Sequence, residues 1–390
     1  MYRQKICLLL LLMLLVSGCG GSEPVAEPTP TATRTPYVEP TATATATATL
    51  TPTPTATPEA VFTPPPPDVN PLTGLRMDDP SVLDRVPVAI KVSNSREARP
   101  QSGLASADWV FEHLSEGRVT RLTAIFYSES PEQVGSVRSG RLIDLEIPAM
   151  VGGIFAFSGA SGGVKDRMRN SDLFPARVIS PDFGVGQPYF YRVPRENIAF
   201  EHTLFTNPAV LRELATERGI NERPDFPVYL AFSETPPAGG TPVDYIEINY
   251  LLNYNTAEWT YDPAIGRWRR AVVGTNHMDY LTGEQLTSAN VVLVYANHIE
   301  SDFWEEMIGD MSNWKLSIEI QVWGQGPALI LRDGRAYPVH WRRAERDHML
   351  TFWDDAGNPV PLKPGNTWFQ LVPLGTESEE FAPGSYRFTP

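Results

Sequence analysis

Alternation of apolar and polar residues is the feature that most constrains the second half of the chain. Residues 245–250, YIEINY, alternate with a period of two, which is typical of a strand with one buried face. Comparable runs follow at 259–261, 267–272, 291–295, 315–323, 328–331, 336–341, 350–353 and 367–372. Turn signals separate them, and Asp333-Gly334 and residues 355–358 are the best hairpin candidates. Many short strands joined by such turns predict a β-rich barrel or sandwich over residues 242–390.

The first half of the chain, residues 68–235, mixes strand and helix signals. Short apolar runs predict strands at 87–92, 109–111, 122–127, 154–157 and 226–232. Residues 208–217 give the clearest helix pattern, with Asn207 or Thr206 as the N-cap. We therefore expect an α+β fold, in which a mixed α/β domain over 68–235 precedes the β-rich domain over 242–390. The Pro- and Gly-rich segment 233–242 marks the predicted boundary.

The N-terminus predicts export and lipid anchoring. Arg3 and Lys5 precede an apolar run over residues 6–16, and the sequence up to Cys19 fits a lipoprotein signal. An apolar run this short is typical of a signal peptide rather than of a membrane-spanning helix. Residues 1–18 are then removed, and acyl chains on Cys19 anchor the protein to the extracytoplasmic side of the cell membrane. An ordinary secretory peptide with a chance cysteine is the alternative.

Residues 19–67 are rich in Thr, Pro and Ala and predict a disordered stalk, because they lack the apolar side chains that a core requires. Loss of the signal peptide also removes Cys7, so the mature chain has no disulfide. Without Arg3 and Lys5, 30 basic and 46 acidic residues remain, a net charge of −16. That charge repels phosphate backbones, so nucleic acid is not expected as a partner.

Arginines recur near the ends of the predicted strands in the first half. The positions are Arg99, Arg121, Arg138 and Arg141. Arginine is always charged and presents a rigid fork of donors, so a cluster of arginines suits a carboxylate or phosphate ligand. Alternatively, each arginine pairs with a neighbouring acid such as Glu112, Glu116 or Asp144.

A glycine-rich turn, residues 159–163, lies between a predicted strand and a predicted helix. The free N–H groups of such a turn bind anions, so Ser161 and Gly162 join the arginines as candidate ligand-binding residues. His202 is a further candidate, because its ring can donate to a ligand or act as an acid or base. The same turn fits the G-x-S-x-G pattern of a nucleophile elbow, and Asp182 and His202 follow in the order of α/β-hydrolases. The short separation between Ser161 and His202 argues against that fold. A plain tight turn and a structural histidine are the remaining alternatives.

Neither a metal nor another cofactor is expected. The six histidines show no paired helical spacing, and no thiol remains beyond the acylated cysteine. Eight of the nine tryptophans lie in the β-rich half. Tryptophan in strands usually packs in a core or across strands, whereas exposed rings stack on sugars or dock a protein partner.

Several motifs resemble the YerB-like bacterial lipoprotein family. The motifs are ARPQSGL, EHLSEG, TRLTAIF and VGSVRSGR in the first half, and TYDPAIGRWRR and NPVPLKPGNTWFQLVP in the second. The resemblance extends from about residue 70 to the C-terminus and implies two domains and an envelope location, in a family of unsettled biochemical function. Residues 201–205, EHTLF, correspond loosely to a His-Asn-Leu-Tyr-like element, with Thr203 in place of Asn and Phe205 in place of Tyr.

An anchor, a stalk, two domains and an arginine cluster favour a non-enzymatic binding or accessory module. Its partner is an anionic envelope component or a membrane protein. The alternative is a hydrolase that cleaves an envelope polymer through Ser161, or through Glu112 and His202. Convergence of Ser161, His202 and an acid within hydrogen-bonding distance favours the enzyme, whereas convergence of arginines and N–H groups favours binding.

Overall fold

The computed structural model describes residues 64–307 and 309–390. The predicted signal peptide, Cys19 and nearly all of the predicted stalk lie outside these residues. Within the described part of the chain, β-structure predominates. A search of the same residues finds no helix with the length and apolar character needed to cross a bilayer.

Strands run through both halves of the described chain and include every run of the second half that alternation predicted. They are β1 (Val88–Ser93), β2 (Trp109–Leu114), β3 (Thr120–Phe126), β4 (Val134–Gly135), β5 (Ile154–Ala156), β6 (Val178–Ile179), β7 (Tyr191–Arg192), β8 (Leu204–Thr206), β9 (Thr241–Pro242), β10 (Tyr245–Leu251), β11 (Asn255–Asp262), β12 (Arg267–Val272), β13 (Thr275–Asn276), β14 (Thr287–Ser288), β15 (Asn290–Glu306), β16 (Lys315–Gln321), β17 (Gly324–Arg332), β18 (Arg335–Arg343), β19 (Thr351–Trp353), β20 (Thr367–Pro373), β21 (Glu377–Ala382) and β22 (Ser385–Thr389).

Two α-helices occur in the described residues, α1 (Gly162–Arg169) and α2 (Pro208–Glu217). Asn207 caps α2 by accepting from Val210 N at 2.9 Å, and proline at the first helical position has no N–H to leave unpaired. The predicted helix over 208–217 is therefore confirmed. Short 3₁₀ helices make up the other helical segments, at Pro80–Leu83, Arg96–Ala98, Leu104–Ser106, Glu116–Arg118, Leu142–Leu145, Ala149–Val151, Pro181–Phe183, Phe200–His202 and Met311–Asn313.

The largest sheet has twelve strands and draws on both halves of the chain. Its main order is β19-β18-β17-β15-β20-β2-β3-β1-β5-β6, with β16 paired to β15 and β9 paired to β18. Strand β20 lies parallel to both β2 and β15, and Phe369 is the partner of Phe111. Strands from the two sides of segment 233–242 therefore share hydrogen bonds, and the boundary placed in that segment stays a prediction.

The remaining strands form two smaller sheets. One contains β10 to β14 with β21 and β22, and the other has the order β4-β8-β7. The β-rich second half is thus confirmed, but its strands divide between two sheets. The expected mixed α/β character of residues 68–235 is weakly developed, because α-helix there is confined to α1 and α2 in the described chain. Proline and glycine occur in the segments that connect the strands, for example at Pro131, Pro148 and Gly152. These residues disfavour long helices there.

Two hydrophobic cores cover the two faces of the large sheet. Phe111 and Ile125 face one core, and Val110 and Ala124, their neighbours along β2 and β3, face the other. Strands buried on both faces read as continuous apolar runs rather than alternating ones. This explains why 109–111 and 122–127 gave no period of two.

One predicted strand is wrong. Residues 226–232 form no strand, apart from a single bridge between Phe232 and Leu362. Pro227 lacks an N–H and cannot complete a ladder, while Phe226 and Leu230 fill the core from a loop. The hairpin predicted at 333–334 is confirmed as the turn between β17 and β18.

Candidate anion-binding site

The central strands β1, β2 and β3 carry polar residues on both faces at one end. His113 on β2 is the partner of Arg121 on β3, which is the partner of Ser93 on β1. Because side chains alternate along a strand, Glu112 projects from the opposite face. Two separate polar networks therefore occupy the two faces of the sheet.

Lys91 is the centre of the first network and is fully buried. Its Nζ lies 2.8 Å from Asp144 Oδ2 and donates to Thr123 Oγ1 at 3.0 Å. Burial lowers the pKa of Lys91 to about 8, although the Asp144 carboxylate opposes the change. Burial and then the Lys91 charge lower the pKa of His113 well below its usual range. The neutral His113 ring donates from Nδ1 to Leu114 O at 2.9 Å, so its Nε2 accepts from Lys91.

Glu112 is the centre of the network on the other face and is also fully buried. Its carboxylate accepts five hydrogen bonds, from Asn94 Nδ2 at 3.0 Å, Thr120 Oγ1 at 2.9 Å, Arg270 Nη2 at 2.7 Å, Trp368 Nε1 at 3.2 Å and Gln370 Nε2 at 3.1 Å. The Arg270 guanidinium also lies 5.1 Å and 4.4 Å from the ring centroids of Trp259 and Trp368. With both oxygens engaged, Glu112 holds Arg270 rather than facing a ligand.

Arg141 pairs with two acids on the Lys91 face. Its Nε donates to Glu116 Oε2 at 2.8 Å, and its Nη1 lies 3.1 Å from Glu305 Oε1. Ser161 Oγ donates to Glu305 Oε2 at 2.9 Å and caps α1 by accepting from Val164 N. All three charged side chains are almost completely buried. Arg141 and Ser161 thus belong to one ion-pair cluster that joins β15 to α1.

Arg121 has no such partner. It is only 8% exposed, and its guanidinium makes no hydrogen bond or ion pair with another described residue. Burial lowers the pKa of Arg121 to about 9, and the charges of Arg141 and Arg138 add to that change, whereas Glu116 and Glu306 oppose it. Leaving a buried cation unpaired is costly in free energy. The arrangement therefore suits an external anion.

The segment 136–138 lies beside β1 and extends the same face. Ser93 N donates to Ser136 O, and Arg138 N donates to Lys91 O, both at 2.9 Å. Alternation places the side chains of Ser136 and Arg138 on the face that also carries Arg121. Ser136 Oγ and Arg138 Nε are buried and have no hydrogen-bond partner in the described structure.

His202 reaches this group from the turn that precedes β8. Arg138 Nη1 donates to Glu201 O at 3.4 Å, which connects the two segments. His202 is 6% exposed, and its Nδ1 is buried without a partner among the described residues. Burial lowers the pKa of His202, and the charge of Arg138 contributes. We refer to Arg121, Ser136, Arg138 and His202 as the Arg121 site.

The other predicted ligand residues lie elsewhere. Arg99 donates to Asn94 O at 2.8 Å and lines a separate cavity of about 420 Å³ together with His277. Burial lowers the pKa of Arg99 to about 10. Gly162 is the first residue of α1, where a Cβ would meet nothing within 4 Å.

The catalytic alternative finds no support in these contacts. Ser161 donates to Glu305 rather than to His202, and Glu112 projects from the other face of the sheet. Within residues 64–307 and 309–390, no group of three or more His, Cys, Asp or Glu side chains is arranged to hold a metal ion. The donors of the Arg121 site can bind an anion, but they include no activated nucleophile.

Sequence reasoning missed Ser136 and the Lys91–Asp144 pair. Lys91 interrupts the apolar run PVAIKV, and a lysine in the middle of a buried strand requires a buried acid. The sequence therefore contained a signal for the Lys91–Asp144 pair. No comparable signal marked Ser136, whose position depends on pairing with β1.

Comparisons with known proteins agree with the motifs. Residues 72–221 match the family model described as "Protein of unknown function (DUF3048) N-terminal domain", and residues 246–369 match the corresponding C-terminal domain. "Putative lipoprotein YerB" of Bacillus subtilis is 29% identical over 307 residues, which cover 78% of this chain and 86% of that protein. The crystal structure of Bacillus subtilis YerB superimposes with a TM-score of 0.63 at 28% identity, over 78% of this chain and 96% of that one. The chain therefore belongs to the YerB-like family, whose two domains both match.

Proposed function

We propose that this protein is a lipid-anchored envelope protein whose folded body binds an anionic ligand at the Arg121 site. One observation carries the proposal: the buried Arg121 guanidinium makes no ion pair with a described residue, although Glu116 and Glu306 lie near enough to act on its charge. Arg138, Ser136 and His202 add polar atoms that have no hydrogen-bond partner among the described residues. A guanidinium fork matches the planar oxygens of a carboxylate or phosphate. An anionic envelope component is the ligand class, and the protein acts as a binding or accessory module.

The neighbouring charges support selective rather than general anion binding. Arg141 is already neutralised by Glu116 and Glu305, and Glu201 and Glu306 lie near the site. The protein as a whole is acidic, so its net charge repels a large polyanion except at the Arg121 site. A single anionic group that fits between Arg121 and Arg138 is favoured.

Thermal unfolding of the full-length protein in detergent micelles tests the site. Sulfate or phosphate should raise the Tm of the parent by a few degrees relative to chloride at equal ionic strength. Arg121→Gln and Arg138→Gln should lose this response, while their Tm without sulfate stays unchanged or rises because repulsion is relieved. Arg169→Gln, at an exposed position on α1, is the matched control and should respond like the parent. An equal sulfate response in all four proteins contradicts the proposal.

The anchor has its own test. The lipoprotein signal and the similarity to a protein named as a lipoprotein support acylation at Cys19. Cys19→Ser should move the protein from the membrane fraction to the soluble extracytoplasmic fraction, as measured by immunoblotting after fractionation. Full retention of the variant in the membrane fraction contradicts the lipid anchor and leaves the Arg121 site unaffected.

A further inference from the structure

A second cavity lies between the β15–β16 hairpin and the turn that follows β2. Its volume is about 410 Å³, which is large enough for a sugar-sized ring. Leu114 and Leu316 line its apolar part, and Trp304 and Trp314 contribute aromatic rings. Glu116 lines it as well, so the cavity adjoins the ion-pair cluster but is separate from the Arg121 site.

The two tryptophan rings form a corner. Their centroids are 5.6 Å apart, and the ring planes meet at 74°. Trp304 is 39% exposed, so part of its ring remains open to a ligand. An open indole at the wall of a cavity offers a flat apolar surface for the C–H face of a ring.

Three polar atoms of residues that line this cavity are buried and have no hydrogen-bond partner in the described structure. They are His298 Nε2, Trp314 Nε1 and Glu116 Oε1. His298 Nδ1 lies 3.1 Å from Ala296 O and donates to it, which leaves Nε2 as a bare acceptor. Burial lowers the pKa of His298 to about 4, so the ring stays uncharged at neutral pH. The residues that line the cavity therefore carry two acceptors and one donor that the described protein leaves unsatisfied.

The charges around the cavity offset one another, which favours a neutral ligand. Arg141 offsets the charge of Glu116, His298 is uncharged, and Glu300 and Lys315 at the cavity have opposite signs. A purely apolar ligand leaves all three buried polar atoms unpaired, which is unfavourable. A group that donates and accepts hydrogen bonds, and that also presents a C–H face, meets every requirement. Hydroxyl groups around a saturated ring have these properties.

We propose that this cavity, between Trp304, Trp314, His298 and Glu116, binds a neutral sugar ring of an envelope glycan. The ring stacks on Trp304, and its hydroxyls donate to His298 Nε2 and Glu116 Oε1 and accept from Trp314 Nε1. The site goes beyond the Arg121 site and does not depend on it.

Calorimetric titration of the full-length protein in micelles tests the assignment with chitotetraose, cellotetraose and maltotetraose. At least one of the three should bind the parent. Trp304→Ala should weaken that binding by about tenfold or more through loss of the stacking surface. Trp314→Phe keeps an aromatic ring but removes the N–H donor, and should weaken binding by several-fold. Trp323→Ala is the matched control, because Trp323 is 45% exposed and does not line the cavity.

The outcomes separate this site from the anion site. Arg121→Gln should keep full affinity for the sugar and lose only the sulfate response. The assignment is overturned if no tetrasaccharide binds at millimolar concentration. It is also overturned if Trp304→Ala and Trp314→Phe bind as well as the Trp323→Ala control.

Discussion

Arg141 and Glu116 form a buried ion pair that separates two candidate binding sites. Glu116 Oε2 accepts from Arg141 Nε at 2.8 Å, while Oε1 has no hydrogen-bond partner among the described residues and belongs to a residue that lines the aromatic cavity. Arg141 in turn lies near Arg121, whose pKa its charge helps to lower. Arg141 therefore acts as structural support for both sites, although it was predicted as a ligand residue.

Arg141→Ala should lower the free energy of unfolding by about 3–5 kcal/mol, because Glu116 and Glu305 would stay buried without their cation. Arg167→Ala, with a side chain that is 55% exposed, should change it by about 0.5 kcal/mol or less. Urea denaturation followed by far-UV circular dichroism measures both values. Equal, small changes in the two variants would show that the Arg141 cluster is not structural.

Glu112→Gln keeps the shape of the side chain but removes the negative charge that faces Arg270. We expect a loss of about 3–5 kcal/mol, since Arg270 is then a buried cation without a counter-ion. Glu377→Gln, at an exposed position on β21, is the control and should be nearly neutral. The same denaturation experiment distinguishes them, and a stable Glu112→Gln variant would refute the structural role of this carboxylate.

Two adjacent glycines at the start of α1 should respond differently to alanine. A Cβ at Gly163 would overlap the Phe303 ring on β15, whereas a Cβ at Gly162 meets nothing within 4 Å. Gly163→Ala should destabilise the protein by about 1–3 kcal/mol through overpacking. Gly162→Ala should be neutral or stabilise by about 0.4–1 kcal/mol, since the unfolded chain loses freedom. Similar melting temperatures for the two variants would contradict the packing of α1 against β15.

His277 should make stability depend on pH. The ring is fully buried, its Nδ1 accepts from Arg270 Nε at 2.9 Å, and its Nε2 donates to Gln101 Oε1 at 2.6 Å. Burial lowers its pKa well below the usual range, so below about pH 6.5 the unfolded chain binds a proton that the folded chain does not. Stability should therefore fall as the pH decreases from 7 to 5.5, with a slope approaching about 1.4 kcal/mol per pH unit for this histidine.

His277→Gln should reduce that slope without abolishing it, because His113 is also buried with a lowered pKa. Urea denaturation at several pH values between 5.5 and 7 measures the difference. His348→Gln is the control, because His348 is only half-buried and lines a different cavity. An unchanged slope in His277→Gln would contradict a neutral buried ring.

Local patterns predicted strands, turns and caps well, because each depends on neighbouring residues. The Asp333-Gly334 hairpin has both residues at positive φ, as the turn chemistry requires, and Asn207 caps α2. The sheet that joins the two halves could not be predicted, because the pairing of β2 with β20 connects residues far apart in sequence. The wrong strand prediction at 226–232 has a different cause. The apolar residues favoured a strand, although Pro227, which disrupts strand pairing, was visible in the sequence.

Only part of the candidate site could be predicted, because the site also depends on contacts between residues that are far apart in sequence. Charge and strand ends identified Arg121 and Arg138, the donor chemistry of its ring identified His202, and the structure places the three together. Whether an arginine meets an acid depends on tertiary contacts, so the sequence could not separate the paired Arg141 from the unpaired Arg121. Glu305, which pairs with Arg141, comes from β15 in the second half of the chain.

The position of β20 has a consequence for biosynthesis. Residues 367–373 are made after both β2 and β15, yet they lie between these two strands in the middle of the large sheet. Until they emerge, both neighbouring strands keep an open edge that can pair with other chains. Folding that depends on such distant contacts is slow. A nascent or prematurely terminated chain that lacks β20 is therefore vulnerable to aggregation and proteolysis.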